Sequence, residues 1–445
     1  MKKESSSVSS TLKRYAQVSS KMGSVTTQIA GRKIIGKTNK VKNAELIFEA
    51  LGGLKGPFMK VAQLLSSIPD AMPKEYSDKL QQLQADAPSM GWLFVRRRMI
   101  NELGNNWQNK FTKFEKNAVK AASLGQVHKA WVENEKFACK LQYPDMISTV
   151  KADLKQIKLI FSIYKSWDKT INTSEIFDEL STRLMEELDY IREQKNMLIY
   201  SKMLSKQKSI NVPIPLKTHS TERLITMTWL DGRPLMSYKK SKSEIRNKIA
   251  LELFKAWYIP FYHYGIIHGD PHPGNYQIFE NDKSIKINLL DFGCIRVFSP
   301  TFVGGVIDLY KAIRDQDREL AINAYKAWGF KKLSKEVIEV LNVWAQYIYG
   351  PLLEDKIRPI QEKNRNKNGK EIAKKVYKNL KNAGGVKPPR EFVLIDRAAV
   401  GLGSVFMHLN AQLNWHQLIE EMIENFDQEK LKTRQNKLLK EVGLK

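Results

Sequence analysis

His268-Gly269-Asp270-Pro271-His272-Pro273-Gly274-Asn275 is the stretch on which the reading of this chain turns. Its prolines and glycines hold side chains in a fixed loop without helix geometry. Asp270 and Asn275 are five residues apart, and Asp291-Phe292-Gly293 begins sixteen residues after Asn275. Phosphoryl transfer asks for these parts. One carboxylate orients the attacking hydroxyl and accepts its proton, while one amide and one carboxylate hold Mg²⁺ on phosphate oxygens. Asp270 suits the first role; Asn275 and Asp291 suit the second. The apolar run Ile285, Ile287, Leu289, Leu290 stops at Asp291, so this ligand is expected at a strand end. A lone Asp-Phe-Gly is a weak signal. Both segments, in this order and at this gap, are a strong one.

Working upstream, the same chemistry needs a lysine for the nucleotide phosphates and an acid to hold it. Residues 111–143 change from helical to strand-like spacing. Gln126 to Trp131 and Phe137 to Leu141 flank the turn signal Glu133-Asn134-Glu135, which predicts a β-hairpin. Lys140 falls at the end of its second strand. Glu193, or alternatively Glu187, on the helical stretch that follows could pair with it. Where a glycine-rich phosphate loop would stand, the chain has Ala121-Ala122-Ser123-Leu124-Gly125-Gln126. Alanine resists positive φ, so this loop cannot wrap phosphates as a glycine loop does, although Ser123 and Gly125 offer backbone N–H groups. An altered nucleotide preference, ATP or ADP, is expected.

Around these motifs, residues 44–110 read as helical, 146–208 as helical with an acidic patch at Glu186-Glu187-Leu188-Asp189, and Thr221 to Trp229 as a strand ending at Asp231-Gly232. Residues 244–265 read as an apolar helix, 266–298 as short strands and loops, and 300–445 as mostly helical. The expectation is α+β: a two-lobed body with a cleft between lobes. The divisions are a basic N-terminal segment 1–43, a helical extension 44–110, an N-lobe 111–232, and a C-lobe 233–445 carrying a basic insert at 355–390.

With 445 residues the chain is long enough for a substantial core. Two cysteines, Cys139 and Cys294, exclude a disulfide scaffold and a multi-cysteine zinc site. The net charge of +26 is concentrated: segments 1–43 and 355–390 each net +9. Such segments attract anionic lipid, phosphorylated ligands or nucleic acid. They lack interleaved aromatics, apart from Tyr15 and Tyr377, and nucleic-acid binding is not expected. Leu12, Tyr15, Val18, Met22, Val25 and Ile29 form a helical stripe with Lys and Arg beside it, which suits a membrane surface, the protein's own core or, since acids are scarce here though Arg is too, a mitochondrial transit peptide. No apolar stretch approaches about eighteen residues; the best, Ala398 to Leu413, is broken by Gly401, Gly403, His408 and Asn410. No transmembrane helix and no secretory leader are expected. An intracellular site is expected: cytoplasmic or at the cytoplasmic membrane face if the source is bacterial, organellar if it is eukaryotic.

Together the chain resembles the AarF/UbiB atypical kinase-like family. The resemblance rests on Ala121 to His128, Lys140-Leu141-Gln142-Tyr143-Pro144, Glu187-Leu188-Asp189-Tyr190 with Glu193 and Asn196, Val212-Pro213, Met227 to Gly232, and the two motifs above. The family's KxGQ motif corresponds to Lys60-Val61-Ala62-Gln63, with alanine for glycine, and its ExD motif to Gln84-Ala85-Asp86. The resemblance implies a protein-kinase-like fold with an N-terminal helical extension and extra C-terminal helices. It implies Mg²⁺ and ATP as cofactors, with Lys60 and Gln63 entering the cleft from the extension. It also implies ubiquinone or related quinone-lipid biosynthesis beside a membrane, where an anionic surface, lipid intermediates, other biosynthetic proteins or a second copy of the chain are partners. Other readings are a small-molecule phosphotransferase of the aminoglycoside or choline kinase type, and a nucleotide-dependent lipid-binding scaffold.

Overall fold

The computed structural model describes residues 89–121, 124–167, 173–281, 284–330, 333–361 and 390–445, with residues 376 and 379. The Leu12–Ile29 stripe, Lys60, Gln63, the Gln84-Ala85-Asp86 motif, Ala122, Ser123 and most of the basic insert lie outside the described residues. The chain divides into two compact units. One runs to Glu193 and takes in Pro215–Trp229; the other holds Gln194–Ile214 and Leu230–Lys445.

The first unit opens with helix α1 (Trp92–Leu103), which Gly104 ends at φ 89. Residues 104–110 therefore leave the helix expected there and finish in a single 3₁₀ turn, Trp107–Lys110. Strands β1 (Lys113–Phe114), β2 (Lys120–Ala121), β3 (Gly125–Val132) and β4 (Glu135–Gln142) follow. The hairpin expected from the Glu133-Asn134-Glu135 signal is β3–β4, in register from Gly125↔Gln142 to Val132↔Glu135. Glu133 makes the reversal with φ 54. Helices α2 (Met146–Trp167), α3 (Thr173–Glu187) and α4 (Tyr190–Met203) come next. After β5 (Ile210–Asn211), which belongs to the second unit, β6 (Leu224–Thr228) returns to pair with β4. The sheet order is β1-β3-β4-β6, with β2 also on β3.

Alternation explains how this sheet buries one face. Ala130, Cys139, Leu141 and Leu224 meet Val95 and Met99 of α1, one helical turn apart, with Trp107 and Phe111 closing the cluster. Burying each of these larger side chains stabilises by about 1.5–3 kcal/mol. Cys139 has no exposed surface and burial pushes its thiol up to about 12, so it packs as an apolar group.

In the second unit, β7 (Arg233–Pro234) precedes the 22-residue helix α5 (Ser243–Tyr264). The short strands expected over 266–298 are β8 (Ile266–His268), β9 (Tyr276–Asn281), β10 (Ser284–Leu289) and β11 (Ile295–Val297). One sheet runs β5-β10-β9-β7, parallel only at β5–β10, and β8 pairs with β11. Helices α6 (Pro300–Asp315), α7 (Arg318–Ala327) and α8 (Lys335–Tyr349) follow. The start of the basic insert departs from the mostly helical reading of 300–445. Arg358–Pro359 forms β12, paired with β13 (Gln412–Leu413). Arg358 is buried, ion-paired to Glu354, and its carbonyl accepts the Trp415 indole N–H, which holds the strand down. Helices α9 (Arg390–His408), α10 (Trp415–Ile423) and α11 (Gln428–Glu441) complete the chain. The architecture is α+β, as the sequence predicts. Among the described residues no helix is long and apolar enough to cross a membrane.

Candidate active site

In the first unit, strand alternation puts Lys140 on the face of β4 opposite Cys139 and Leu141. Its ammonium reaches both oxygens of Glu193, at 2.7 and 2.8 Å. Glu193 is 2% exposed and Lys140 21%. A two-pronged contact to a buried carboxylate fixes the long lysine stem in one direction. Asp189 caps α4, accepting the Arg192 N–H at 2.9 Å, so Glu193 sits on the first turn of a firmly started helix. Tyr190, 1% exposed, lies under Lys140 with the ammonium 5.2 Å from its ring centroid. Glu187, the alternative partner for Lys140, closes α3 and is half-buried.

Ala121 ends β2 and Gly125 begins β3. A Cβ on Gly125 would stand 2.4 Å from the Leu141 carbonyl oxygen and 3.0 Å from the Tyr190 hydroxyl. This glycine is required by the close approach of β4. The side chain of Gln126, read from sequence as part of the phosphate loop, is turned elsewhere. Its amide accepts the Met90 N–H at 2.7 Å and donates to the Met90 carbonyl at 3.1 Å. It also donates to His128 Nε2 at 2.8 Å, while His128 Nδ1 donates to the Glu115 carbonyl. Gln126 is fully buried and straps the chain before α1 to the sheet, so only its backbone remains for a ligand. Burial also depresses the His128 pKa.

In the second unit, the loop after β8 carries the remaining groups. The Asp270 carboxylate accepts the Asn275 side-chain N–H at 3.0 Å and the His272 N–H at 3.3 Å. The same Asn275 amide group donates to the Asp270 carbonyl at 3.2 Å. Its nitrogen is thus committed to Asp270, and its oxygen is the atom left to meet a hard cation. His272 Nδ1 accepts the Gly274 N–H at 3.1 Å and shapes the turn locally. Asp291 follows β10 and its Oδ1 accepts the Gly293 N–H at 2.9 Å.

His268 joins the two motifs, a role that sequence reading missed. It is 3% exposed; Nε2 donates to the Asp291 carbonyl, and Nδ1 accepts the Asp270 N–H at 3.3 Å. The Leu290 N–H to Asn275 carbonyl bond, 3.1 Å, adds a second link. Gly269 explains the closeness: its N–H donates to the Cys294 carbonyl, and a Cβ there would meet the Cys294 thiol at 2.7 Å. Phe292 is fully buried against Tyr200 and His268, and Asn196 donates to its carbonyl at 2.8 Å. A signal for His268 was available: it ends the apolar pair Ile266-Ile267, where strand spacing buries it.

Each unit thus assembles its own share of the expected residues: Lys140, Glu193, Gly125 and Tyr190 in one, Asp270, Asn275 and Asp291 in the other. A carboxylate and an amide oxygen suit Mg²⁺, which takes oxygen ligands and retains part of its water shell.

Comparison with known proteins bears on the same residues. A solved structure, the Rv3197–erythromycin complex from Mycobacterium tuberculosis, superposes with a TM-score of 0.60 at 24% identity, covering 86% of this chain and 96% of that one. That likeness concerns the fold. A Clostridium pasteurianum protein from the hydrogenase 1 5′ region is 30% identical over 313 residues, 68% of this chain and 57% of that protein. The mitochondrial atypical kinase COQ8 of Saccharomyces cerevisiae is 29% identical over 263 residues, 59% of this chain and 52% of the yeast protein. The chain thus spans about half the length of these relatives. The model of the ABC1 atypical kinase-like domain matches residues 82–325, which take in both motifs, Lys140 and Glu193. On that match the chain belongs to the ABC1 atypical kinase-like family, the AarF/UbiB proteins.

Proposed function

We propose that this chain is a Mg²⁺-dependent ATP-binding phosphotransferase or ATPase that supports quinone-lipid biosynthesis at a membrane surface. The observation that carries the reading is the Lys140–Glu193 pair. A buried ion pair is a poor device for stability, because desolvation offsets its attraction. Placing one near a strand end, beside Gly125 where a Cβ would not fit, suits a lysine held ready for phosphate oxygens. Asn275 and Asp291 would hold Mg²⁺, which supplies positive charge against the phosphate oxygens. Asp270, steadied by Asn275, would orient a hydroxyl or water and accept its proton. His268 keeps the Asp270 and Asp291 segments in step. The quinone-lipid setting is supported by family membership. Attachment to an anionic surface is supported by the concentration of charge in residues 1–43 and 355–390.

The test is ATP hydrolysis by the purified protein, with and without Mg²⁺, anionic liposomes and a quinone-precursor phenol. Turnover that requires Mg²⁺ and rises with liposomes is expected. Asp270→Asn should lower it by about a hundredfold or more while ATP still binds. Failure to bind ATP in the presence of Mg²⁺ would refute the reading. Binding without turnover under every condition would leave a nucleotide-dependent scaffold instead.

A further inference from the structure

Gly401 lies inside α9, and a Cβ built on it would stand 2.3 Å from Pro271 Cγ and 3.3 Å from Pro271 Cβ. Non-bonded carbons rest about 3.5–4.0 Å apart, so the helix backbone meets the loop at a distance that only glycine permits. Gly403, two residues further along the same helix, has no described atom within 4 Å of a Cβ built on it. The pair is thus a natural contrast: of two glycines in one helix interior, one meets a neighbour among the described residues and the other does not.

What it touches follows Asp270 directly. The Pro271 ring is fused to the backbone and cannot rotate aside as a free side chain could. The helix is held as well, since Ala398, Leu402, Val405 and Phe406 are buried to 2% exposure or less. The loop is the softer side, with His272 and Gly274 exposed. We infer that Gly401 is a positioning residue, and that the backbone of α9 is the stop against which Pro271 rests and which sets where the Asp270 carboxylate stands. The inference builds on the phosphoryl-transfer reading and gives the C-terminal helix a part in it. A side chain at position 401 displaces Pro271, strains the Asn275 bonds to the Asp270 carbonyl and carboxylate, and moves the carboxylate off its target.

Four variants test this: Gly401→Ala, Gly403→Ala, Pro271→Ala, and Gly401→Ala with Pro271→Ala. Turnover, Mg-ATP affinity and thermal midpoint are measured for each. Gly401→Ala should lower turnover by about tenfold to a hundredfold, the scale of a misplacement near 1 Å. Its Mg-ATP affinity should fall less than its turnover, since Asp291 and Lys140 are untouched and Asn275 is disturbed only through its bonds to Asp270. Gly403→Ala should turn over normally and melt no lower, because alanine is the better helix former. Adding Pro271→Ala to Gly401→Ala removes the Cγ that the new methyl meets, and should return turnover to the level of Pro271→Ala alone. Gly401→Ala behaving like Gly403→Ala, or no rescue by Pro271→Ala, would overturn the inference. If the wild-type protein turns over no ATP, the functional reading fails separately. The thermal midpoints then decide: non-additivity between positions 271 and 401 supports the contact as a stop, and additivity refutes it.

Discussion

Asp291→Asn should weaken Mg²⁺-dependent ATP binding by about a hundredfold or more, because loss of a direct ligand exceeds the effect of disturbing a supporting one. The substitution is close to isosteric. Asparagine retains an oxygen to accept the Gly293 N–H, and the His268 bond runs to the residue 291 backbone carbonyl. The Phe292 packing and the Asn196 bond to its carbonyl also remain. What is removed is one negative charge, the main attraction for a divalent cation. Titration calorimetry with and without Mg²⁺ reads the loss, and the thermal midpoint should stay near that of the wild type. Equal affinities in the two proteins would remove Asp291 from the metal site.

Lys140→Ala should destabilise the first unit by about 3 kcal/mol as well as abolish productive nucleotide binding. The stability effect comes from the partner. Glu193 stays in place at 2% exposure after losing the ammonium that both of its oxygens contact. A carboxylate in that setting must ionise without its cation, take up a proton, or open the structure to water. Urea unfolding followed by tryptophan fluorescence measures the cost. Replacing both partners, Lys140→Met with Glu193→Gln, should recover part of it, since no full charge is then left buried. A single lysine variant as stable as the wild type would mean that Glu193 is well solvated.

The candidate site residues were legible as candidates because they are written as short, fixed spacings. Asp270, Asn275 and Asp291 were picked out by two motifs and the gap between them, and the structure ties the two segments together through His268. The β3–β4 hairpin followed from alternation around Glu133-Asn134-Glu135, and Lys140 from its place at a strand end. Glu193 came with Glu187 as an alternative, and geometry makes Glu193 the carboxylate that takes Lys140 with both oxygens. What could not be read are contacts between residues far apart in sequence. Gln126 looked like part of a phosphate loop, yet its side chain is spent on Met90, thirty-six positions upstream. Gly401 had no apparent chemical role, because its reason lies at Pro271. Arg358–Pro359 became a strand through Trp415 and Leu413, which no local pattern announces.

Asn288 is completely buried; its amide nitrogen donates to the Asp231 carbonyl at 2.9 Å, and its oxygen accepts from Asn211. Two residues earlier, the Trp229 N–H donates to the Lys136 carbonyl at 2.9 Å. The chain passes from one compact unit to the other between Trp229 and Leu230. It is therefore riveted to a sheet on each side of Leu230. A stretch fastened on both sides of a single residue has no slack, and loop insertions that the surface would tolerate elsewhere have no spare length to occupy at this point.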